Sequence, residues 1–344
     1  MENKRIEFLD ATKGAGITLV IFAHSMSSQM PFLYSFLMPV FFFVSGYVFR
    51  KKPVGEVFID KLNRLYIPFA FFFIGSWLFF LIPLLMKGNA VSIQEHLFLI
   101  KNVFIGDERN GGNVPIWFLV CNFSICILYA MILKYVPKIT WQSLLCVGMG
   151  LAGNYMYWHH IVLPYKLDAA CSSIIFFHLG YMARQKDWVI KAANWKPAIL
   201  IPVVLISLAV SYYFSMLNIQ QSGINKVNII HNIVGDYLPF TLTGLFVLAW
   251  FILTAYKVGN GLALLNYYGR NSMVILGTHY ITLHVIKDNI DKYIDVETLG
   301  FNVLLTVILL VLSLPLIYLA KRFVPAFTSY DKLIKTKSSV VQQH

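Results

Sequence analysis

Two ionisable side chains share one face of the first apolar segment of the chain. Lys13 and His24 are eleven residues apart in the sequence DATKGAGITLVIFAHS. On an α-helix eleven residues turn through about 1,100°, so both side chains point the same way, about 16 Å apart along the axis. Ionisable groups inside a bilayer are costly and usually mark a reactive centre or a transport pathway. These residues are therefore the first candidates for chemistry.

An imidazole at this position suits acyl transfer to an alcohol. A hydroxyl group is a poor nucleophile near neutral pH and needs a base within hydrogen-bonding reach, a role that histidine commonly fills. We predict His24 as the general base. Asp10 lies three residues before Lys13 and can pair with it on one helical face, which would orient the lysine. The structural alternative is a histidine that only hydrogen-bonds a neighbouring helix.

The composition of the chain indicates what kind of helix carries Lys13 and His24. Hydrophobic residues make up 58% of the 344 residues and charged residues 13%, whereas charged residues make up about 25% of soluble domains. Apolar stretches recur along the chain, each near the roughly 20 residues that a helix needs to cross a bilayer. We predict an all-α integral membrane protein, a bundle of about ten transmembrane helices at residues 12–29, 31–49, 66–86, 114–136, 141–157, 167–183, 197–217, 237–256, 271–288 and 299–320.

The distribution of basic residues predicts the orientation of the bundle. With the N-terminus inside, the inner segments hold 21 of the 28 lysines and arginines, and cytoplasmic loops are the ones that collect basic residues. We predict both termini in the cytoplasm, a single transmembrane domain over residues 1–322 and a partly disordered cytoplasmic tail over 323–344. The net charge of +12 then reflects topology and contact with anionic membrane lipid, and it requires no nucleic-acid partner.

Five sequence motifs follow one another along the chain: FLDATKGAGITLVIFAHS, MPVFFFVSGYVFRKK, DKLNRLYIPFAFF, IWFL and YYGRNSMVILGTH. Together they resemble the acyltransferase-3 family of membrane acyltransferases. With lysine and not arginine before Gly14, the first motif looks most like the fucose-O-acetylase-like branch of that family. The resemblance implies a multi-pass enzyme of the bacterial inner (cytoplasmic) membrane. Such an enzyme transfers an acyl group, expected to be acetyl, from acyl-coenzyme A to a hydroxyl of a sugar in a surface glycan or its precursor.

The resemblance also assigns roles to basic residues. The family's paired basic residue and histidine match Lys13 and His24, and its Arg-x-x-Arg motif matches Lys61 and Arg64, with lysine at the first position. Acetyl-coenzyme A, or another acyl-coenzyme A, is the expected donor, and its phosphates need cations near the cytoplasmic surface. Lysine at position 61 keeps the charge but loses the bidentate geometry of arginine.

Two further polar pairs have simpler alternatives. Asn271 and Ser272 begin the ninth predicted span, where they could cap the helix and leave amide donors facing the donor side. A cap needs no ligand, so only the resemblance makes these two residues candidates for donor binding. His159 and His160 lack the carboxylate or cysteine companions of a metal site, and we predict no metal.

Candidates for binding the acceptor are polar or aromatic side chains within the spans: Ser45, Trp117, His178 and His279. Ser45 belongs to an SGY segment in an aromatic helix, where a ligand or a neighbouring helix could approach closely. Packing of the second helix on the first is the alternative there. Trp117 could stack on a sugar ring or anchor the helix at the membrane interface, where tryptophan is enriched. Whether the protein forms a homodimer is left open.

A function from another class uses the same residues. A proton-coupled transporter or flippase for a glycolipid or small metabolite would employ His24 as its coupling group. Such proteins often contain repeated halves with broken helices, and no internal repeat is visible in this sequence. The enzyme hypothesis makes a structural demand, because a path must join the Lys13 end of the first helix to the ring of His24.

Overall fold

The computed structural model describes residues 7–25, 30–86, 93–107, 112–290 and 298–324. Within these ranges the chain is helical and forms no strand. The helices are α1 (Glu7–Ser25), α2 (Pro31–Val48), α3 (Val54–Lys61), α4 (Ile67–Met86), α5 (Ile93–Ile105), α6 (Trp117–Tyr135), α7 (Ile139–Trp158), α8 (Leu167–Gln185), α9 (Trp188–Ala193), α10 (Pro197–Ser222), α11 (Tyr237–Val258), α12 (Ala263–Arg270), α13 (Ser272–Ile290) and α14 (Leu299–Phe323).

Each of the ten predicted spans overlaps one long helix, namely α1, α2, α4, α6, α7, α8, α10, α11, α13 or α14. Among the described residues, six segments are long and apolar enough to cross a membrane: Pro31–Val48, Val54–Ile82, Val114–Tyr135, Pro197–Ser222, Tyr237–Val258 and Leu299–Phe323. Ten crossings and two cytoplasmic termini therefore stay predictions. Residues 325–344, which hold most of the predicted disordered tail, lie outside the described ranges.

Two glycines bring α1 into backbone contact with the short helix α12. A Cβ atom at Gly14 would overlap the carbonyl oxygen of Leu265, and a Cβ at Gly269 would overlap the carbonyl oxygen of Asp10. Small residues permit this approach because no side chain separates the two backbones. The position of Lys13, between Asp10 and Gly14, is therefore fixed by α12.

The SGY segment of α2 packs closely on α8. A Cβ at Gly46 would overlap the carbonyl oxygen of Phe177, and a Cβ at Gly180 would overlap that of Phe43. The close approach was predicted. The SGY segment also packs on the first helix, where the Tyr47 and Phe8 ring centroids are 5.5 Å apart, but the contact at its glycine is with α8. Glycines on both α2 and α8 determine the contact, and the sequence of α2 alone does not contain that information.

The segment between α10 and α11 is held by side-chain hydrogen bonds. Asn232 donates to the carbonyl of Gly153 on α7 over 2.8 Å and accepts from Ser172 on α8 over 2.7 Å. Asn218 on α10 donates to the carbonyl of Val234, also over 2.8 Å. Because all three side chains are buried, these bonds fix the path of the segment.

Candidate active site

The predicted base lies against a second histidine on another helix. Nδ1 of His24, near the end of α1, is 3.0 Å from Nε2 of His279 on α13. The two rings are parallel within 4°, and their centroids are 5.2 Å apart. His279 is buried, and its own Nδ1 lies 2.8 Å from the carbonyl oxygen of Ile275. The sequence placed His279 among the acceptor candidates and did not predict this pairing.

The hydrogen bonds determine the tautomer of both rings. A carbonyl oxygen only accepts, so Nδ1 of His279 donates to Ile275, and Nε2 of the neutral His279 ring is the acceptor. His24 therefore donates from its Nδ1, which leaves the lone pair of the neutral ring on Nε2. A histidine held in this way is oriented by its partner and can take up a proton at Nε2.

His24 lines a cavity of about 580 Å³. This volume falls within the roughly 300–1,000 Å³ of small-molecule sites. We call it the histidine cavity, and the polar and aromatic residues that line it with His24 are Tyr34, Trp117, Phe118, Lys226, Asn228, His231, Tyr280, His284, Lys287 and Asp288. Four separate parts of the fold thus meet at this cavity: the first turns of α2, the start of α6, the α10–α11 segment and α13.

Lys13 lines a second cavity, of about 120 Å³, which we call the lysine cavity. Ser45 of α2 and Ser272 of α13 line it too, together with apolar side chains that include Leu65. Three residues singled out in the sequence therefore face one space, although they lie far apart along the chain.

The two cavities adjoin along four shared apolar side chains. Val20, Met38, Phe118 and Leu276 line both of them, and we call this group the septum. The expected path from Lys13 to His24 therefore takes the form of two adjoining cavities that meet at the septum. Val20 lies between Lys13 and His24 on α1, so the order of the cavities follows the helix.

The family of the chain follows from a match over most of its length. The sequence model of the acyltransferase-3 family, described as an acyltransferase domain, matches residues 6–322. The chain belongs to this family. It is a multi-pass membrane acyltransferase, and the match includes every residue named above in the two cavities and the septum. No curated protein and no solved structure matches the chain significantly.

In this acyltransferase, Asp10 pairs with Lys13 as predicted. Nζ of Lys13 is 2.9 Å from Oδ1 of Asp10, and the aspartate side chain is only 8% exposed. A buried carboxylate at this distance holds the ammonium group in one direction. Lys13 is thus oriented by its own helix, and the packing of α12 on Asp10 orients that helix.

Lys61 and Arg64 lie around one carboxylate, that of Asp60. Nζ of Lys61 is 3.7 Å from Asp60 Oδ2, and Nε of Arg64 is 3.1 Å from Oδ1. Neither basic side chain lines the lysine cavity, although Leu65 does. Lys61 is the last residue of α3, and Arg64 lies in the π-helical turn over Leu62–Tyr66 that follows it, just before Pro68. Proline lacks an N–H and crowds the carbonyl four residues earlier, and a wider turn relieves that conflict.

The two residues at the start of α13 have different surroundings. Ser272 lines the lysine cavity, whereas the side chain of Asn271 is buried and donates to the carbonyl of Tyr267 over 2.7 Å. The backbone oxygen of Asn271 accepts from the amides of Val274 and Ile275. Asn271 thus joins α12 to α13, and of the two residues only Ser272 reaches a cavity.

The remaining acceptor candidates are divided between several places. Trp117 is 7% exposed and lines the histidine cavity, so it is too buried to be an interfacial anchor. Ser45 accepts a hydrogen bond from Asn122 at the lysine cavity. His178 is bound on both ring nitrogens, by the Tyr129 hydroxyl at 2.9 Å and Ser143 at 2.8 Å. The structure does not bring His178 to either cavity.

Sequence analysis missed several residues of the histidine cavity. One face of α13 carries five of them: Leu276, Tyr280, Leu283, His284 and Lys287. Their spacing repeats every three or four residues, which is the period of one helix face, so this signal was present in the sequence. Lys226 had no comparable signal, because hydrogen bonds between distant residues determine its segment's path.

Within the described ranges, no group of three or more His, Cys, Asp or Glu side chains could hold a metal ion.

Proposed function

We propose that this acyltransferase moves an acyl group, expected to be acetyl, from acyl-coenzyme A to a hydroxyl of a sugar in a surface glycan or its precursor. We assign it to the fucose-O-acetylase-like branch of the family, on the basis of the lysine before Gly14. The observation that carries the proposal is the pairing of His24 with His279, which leaves the lone pair of a ring at the histidine cavity on Nε2. A base with this arrangement suits a hydroxyl acceptor.

The reaction follows from these positions. The acceptor hydroxyl gives its proton to Nε2 of His24 as its oxygen attacks the thioester carbonyl. The carbon–sulfur bond then breaks, and the proton returns from His24 to the departing thiolate, so that the products are the sugar ester and free coenzyme A. His279 holds the ring during both transfers by accepting from its Nδ1–H.

The donor would approach from the Lys13 end of α1. Lys13 has the charge and the fixed direction to bind a phosphate of coenzyme A, and Ser272 adds a hydroxyl to the same cavity. Lys61 and Arg64 lie around Asp60 outside that cavity, so we assign them a secondary role in attracting the donor. We place the enzyme in the bacterial inner membrane with the Lys13 end toward the cytoplasm.

The test is acetyl transfer from labelled acetyl-coenzyme A by the purified protein in detergent or nanodiscs. His24→Ala should lower turnover by about 10²–10⁴-fold, the usual contribution of a general base. His159→Ala is the matched control, because His159 is exposed and lines neither cavity. Equal turnover by wild type and His24→Ala would remove His24 from the mechanism. A proton-gradient requirement without coenzyme A binding would support the transporter alternative instead.

A further inference from the structure

The lining of the histidine cavity is positively charged. Among the residues that the structure describes there, it contains two lysines, Lys226 from the α10–α11 segment and Lys287 from α13, against one aspartate, Asp288. With the histidines neutral this is a net charge of +1. An acceptor that is only a neutral sugar needs hydroxyl and amide partners, and it does not need two ammonium groups.

Both lysines are linked to the backbone on either side of His24, Lys287 directly and Lys226 through Tyr34. Nζ of Lys287 donates to the carbonyl of Ser25, the residue after His24. Nζ of Lys226 lies 4.0 Å from the centroid of the Tyr34 ring, and the Tyr34 hydroxyl donates to the carbonyl of Ala23, the residue before His24. The two charges are thus placed around the base.

The position of Lys226 is determined before any ligand binds. Its segment is held to α7, α8 and α10 by the buried Asn232 and Asn218. Burial lowers the pKa of Lys226 from its ordinary value, because desolvation disfavours the charged ammonium. An anion bound beside Lys226 would offset that cost.

We propose that the acceptor is an anionic saccharide, whose carboxylate or phosphate is bound by Lys226 and Lys287 while one of its hydroxyls faces His24. The inference rests on the proposed function and narrows its substrate class. Trp117 and Tyr280 line the same cavity and offer apolar faces for the sugar ring. Charge-assisted hydrogen bonds are roughly twice as strong as neutral ones. The anionic group would therefore determine both the affinity of the saccharide and its position relative to His24.

The test is calorimetric binding of two matched pairs of oligosaccharides to the purified full chain. One pair is an oligogalacturonide and its carboxyl-reduced neutral form; the other is a maltooligosaccharide with and without a phosphate. At least one anionic member should bind about tenfold or more tightly than its neutral partner, because hydrogen bonds to charged groups are stronger than those to neutral ones. The pair that shows the preference distinguishes carboxylate from phosphate.

Lysine variants show which side chains cause the preference for the anionic saccharide. Lys226→Gln and Lys287→Gln should each abolish most of it, whereas Lys101→Gln, at an exposed lysine of α5, should retain it. A merely structural role for either lysine would lower the melting temperature and weaken charged and neutral members equally. That result, or an absence of charge preference in the wild type, contradicts the proposal.

Two further outcomes separate this inference from the proposed function. Equal acetyl transfer to the charged and neutral members would leave the proposed function standing and overturn the inference. Charge-dependent saccharide binding without acetyl transfer from acetyl-coenzyme A would support an anion site and overturn the proposed function. If Lys226→Gln weakens the binding of coenzyme A and not of the saccharide, the lysines serve the donor and the inference is wrong.

Discussion

The histidine pair forms a directed chain of hydrogen bonds that ends at a backbone carbonyl. Because Ile275 can only accept, each proton between that carbonyl and His24 has one position. This arrangement suits a catalytic base, because it keeps the His24 ring in the tautomer whose Nε2 can accept a proton. His279 is accordingly a positioning residue, and its effect should be on turnover more than on donor binding.

Substitution of His279 tests this role. His279→Ala should lower kcat by about tenfold to a hundredfold, because the lost buried hydrogen bond is worth about 1–3 kcal/mol. His279→Gln offers a carbonyl oxygen that can accept from Nδ1 of His24 and should recover part of the loss. KM for acetyl-coenzyme A should change little in either variant. A rise in KM at constant kcat would contradict the positioning role.

At the scale of elements, α1 depends on a helix that has no apolar run of its own. Helix α12 is eight residues long, which is too short to cross a membrane. It nevertheless lies backbone to backbone against the segment of α1 that carries Asp10 and Lys13. The position of Asp10 and Lys13, where we propose that the donor binds, therefore depends on this one contact.

A methyl group placed in that contact should disturb the site. Gly269→Ala forces a Cβ into the carbonyl oxygen of Asp10, and we expect destabilisation of about 1–3 kcal/mol from overpacking, with loss of donor affinity. Gly148→Ala on α7 is the control, because a Cβ there meets nothing within 4 Å. Melting in detergent and titration with acetyl-coenzyme A measure both effects. Equal melting temperatures for the two variants would show that α1 and α12 separate freely.

The long helices and the pairing of Lys13 with Asp10 could be predicted from the sequence, because helix periodicity and apolar length are local properties. The short helix α12, whose eight residues include few consecutive apolar ones, and the glycine contact between α2 and α8 could not. It also did not pair His24 with His279, since 255 residues separate them and only tertiary packing brings them together. Residues that share one face of a helix can be identified from a single sequence, whereas contacts between helices cannot.

At the scale of the whole molecule, the two cavities of the described residues adjoin at the septum. In the proposed reaction the thioester reaches past Val20, Met38, Phe118 and Leu276 for its carbonyl to meet the acceptor. Met38 is the unbranched side chain with the most rotatable bonds among the four, so it is the one best able to move aside.

A rigid ring in the septum should uncouple donor binding from transfer. Met38→Trp should lower turnover more than tenfold while the dissociation constant for coenzyme A stays within about twofold, because Lys13 and its pairing are unchanged. Met131→Trp, on the exposed face of α6, is the matched control and should behave as wild type. Turnover in Met38→Trp equal to that of the control would show that the acyl group takes another route.

The septum has a second consequence, which concerns the membrane and not the reaction. Two water-filled chambers joined end to end through a bilayer would form a water column, along which ions and protons could leak down the membrane potential. The four side chains of the septum are apolar, and short nonpolar constrictions repel water and ions strongly. The residues that the acyl group would pass in the proposed reaction would therefore also provide electrical insulation, and the membrane around the enzyme would keep its potential.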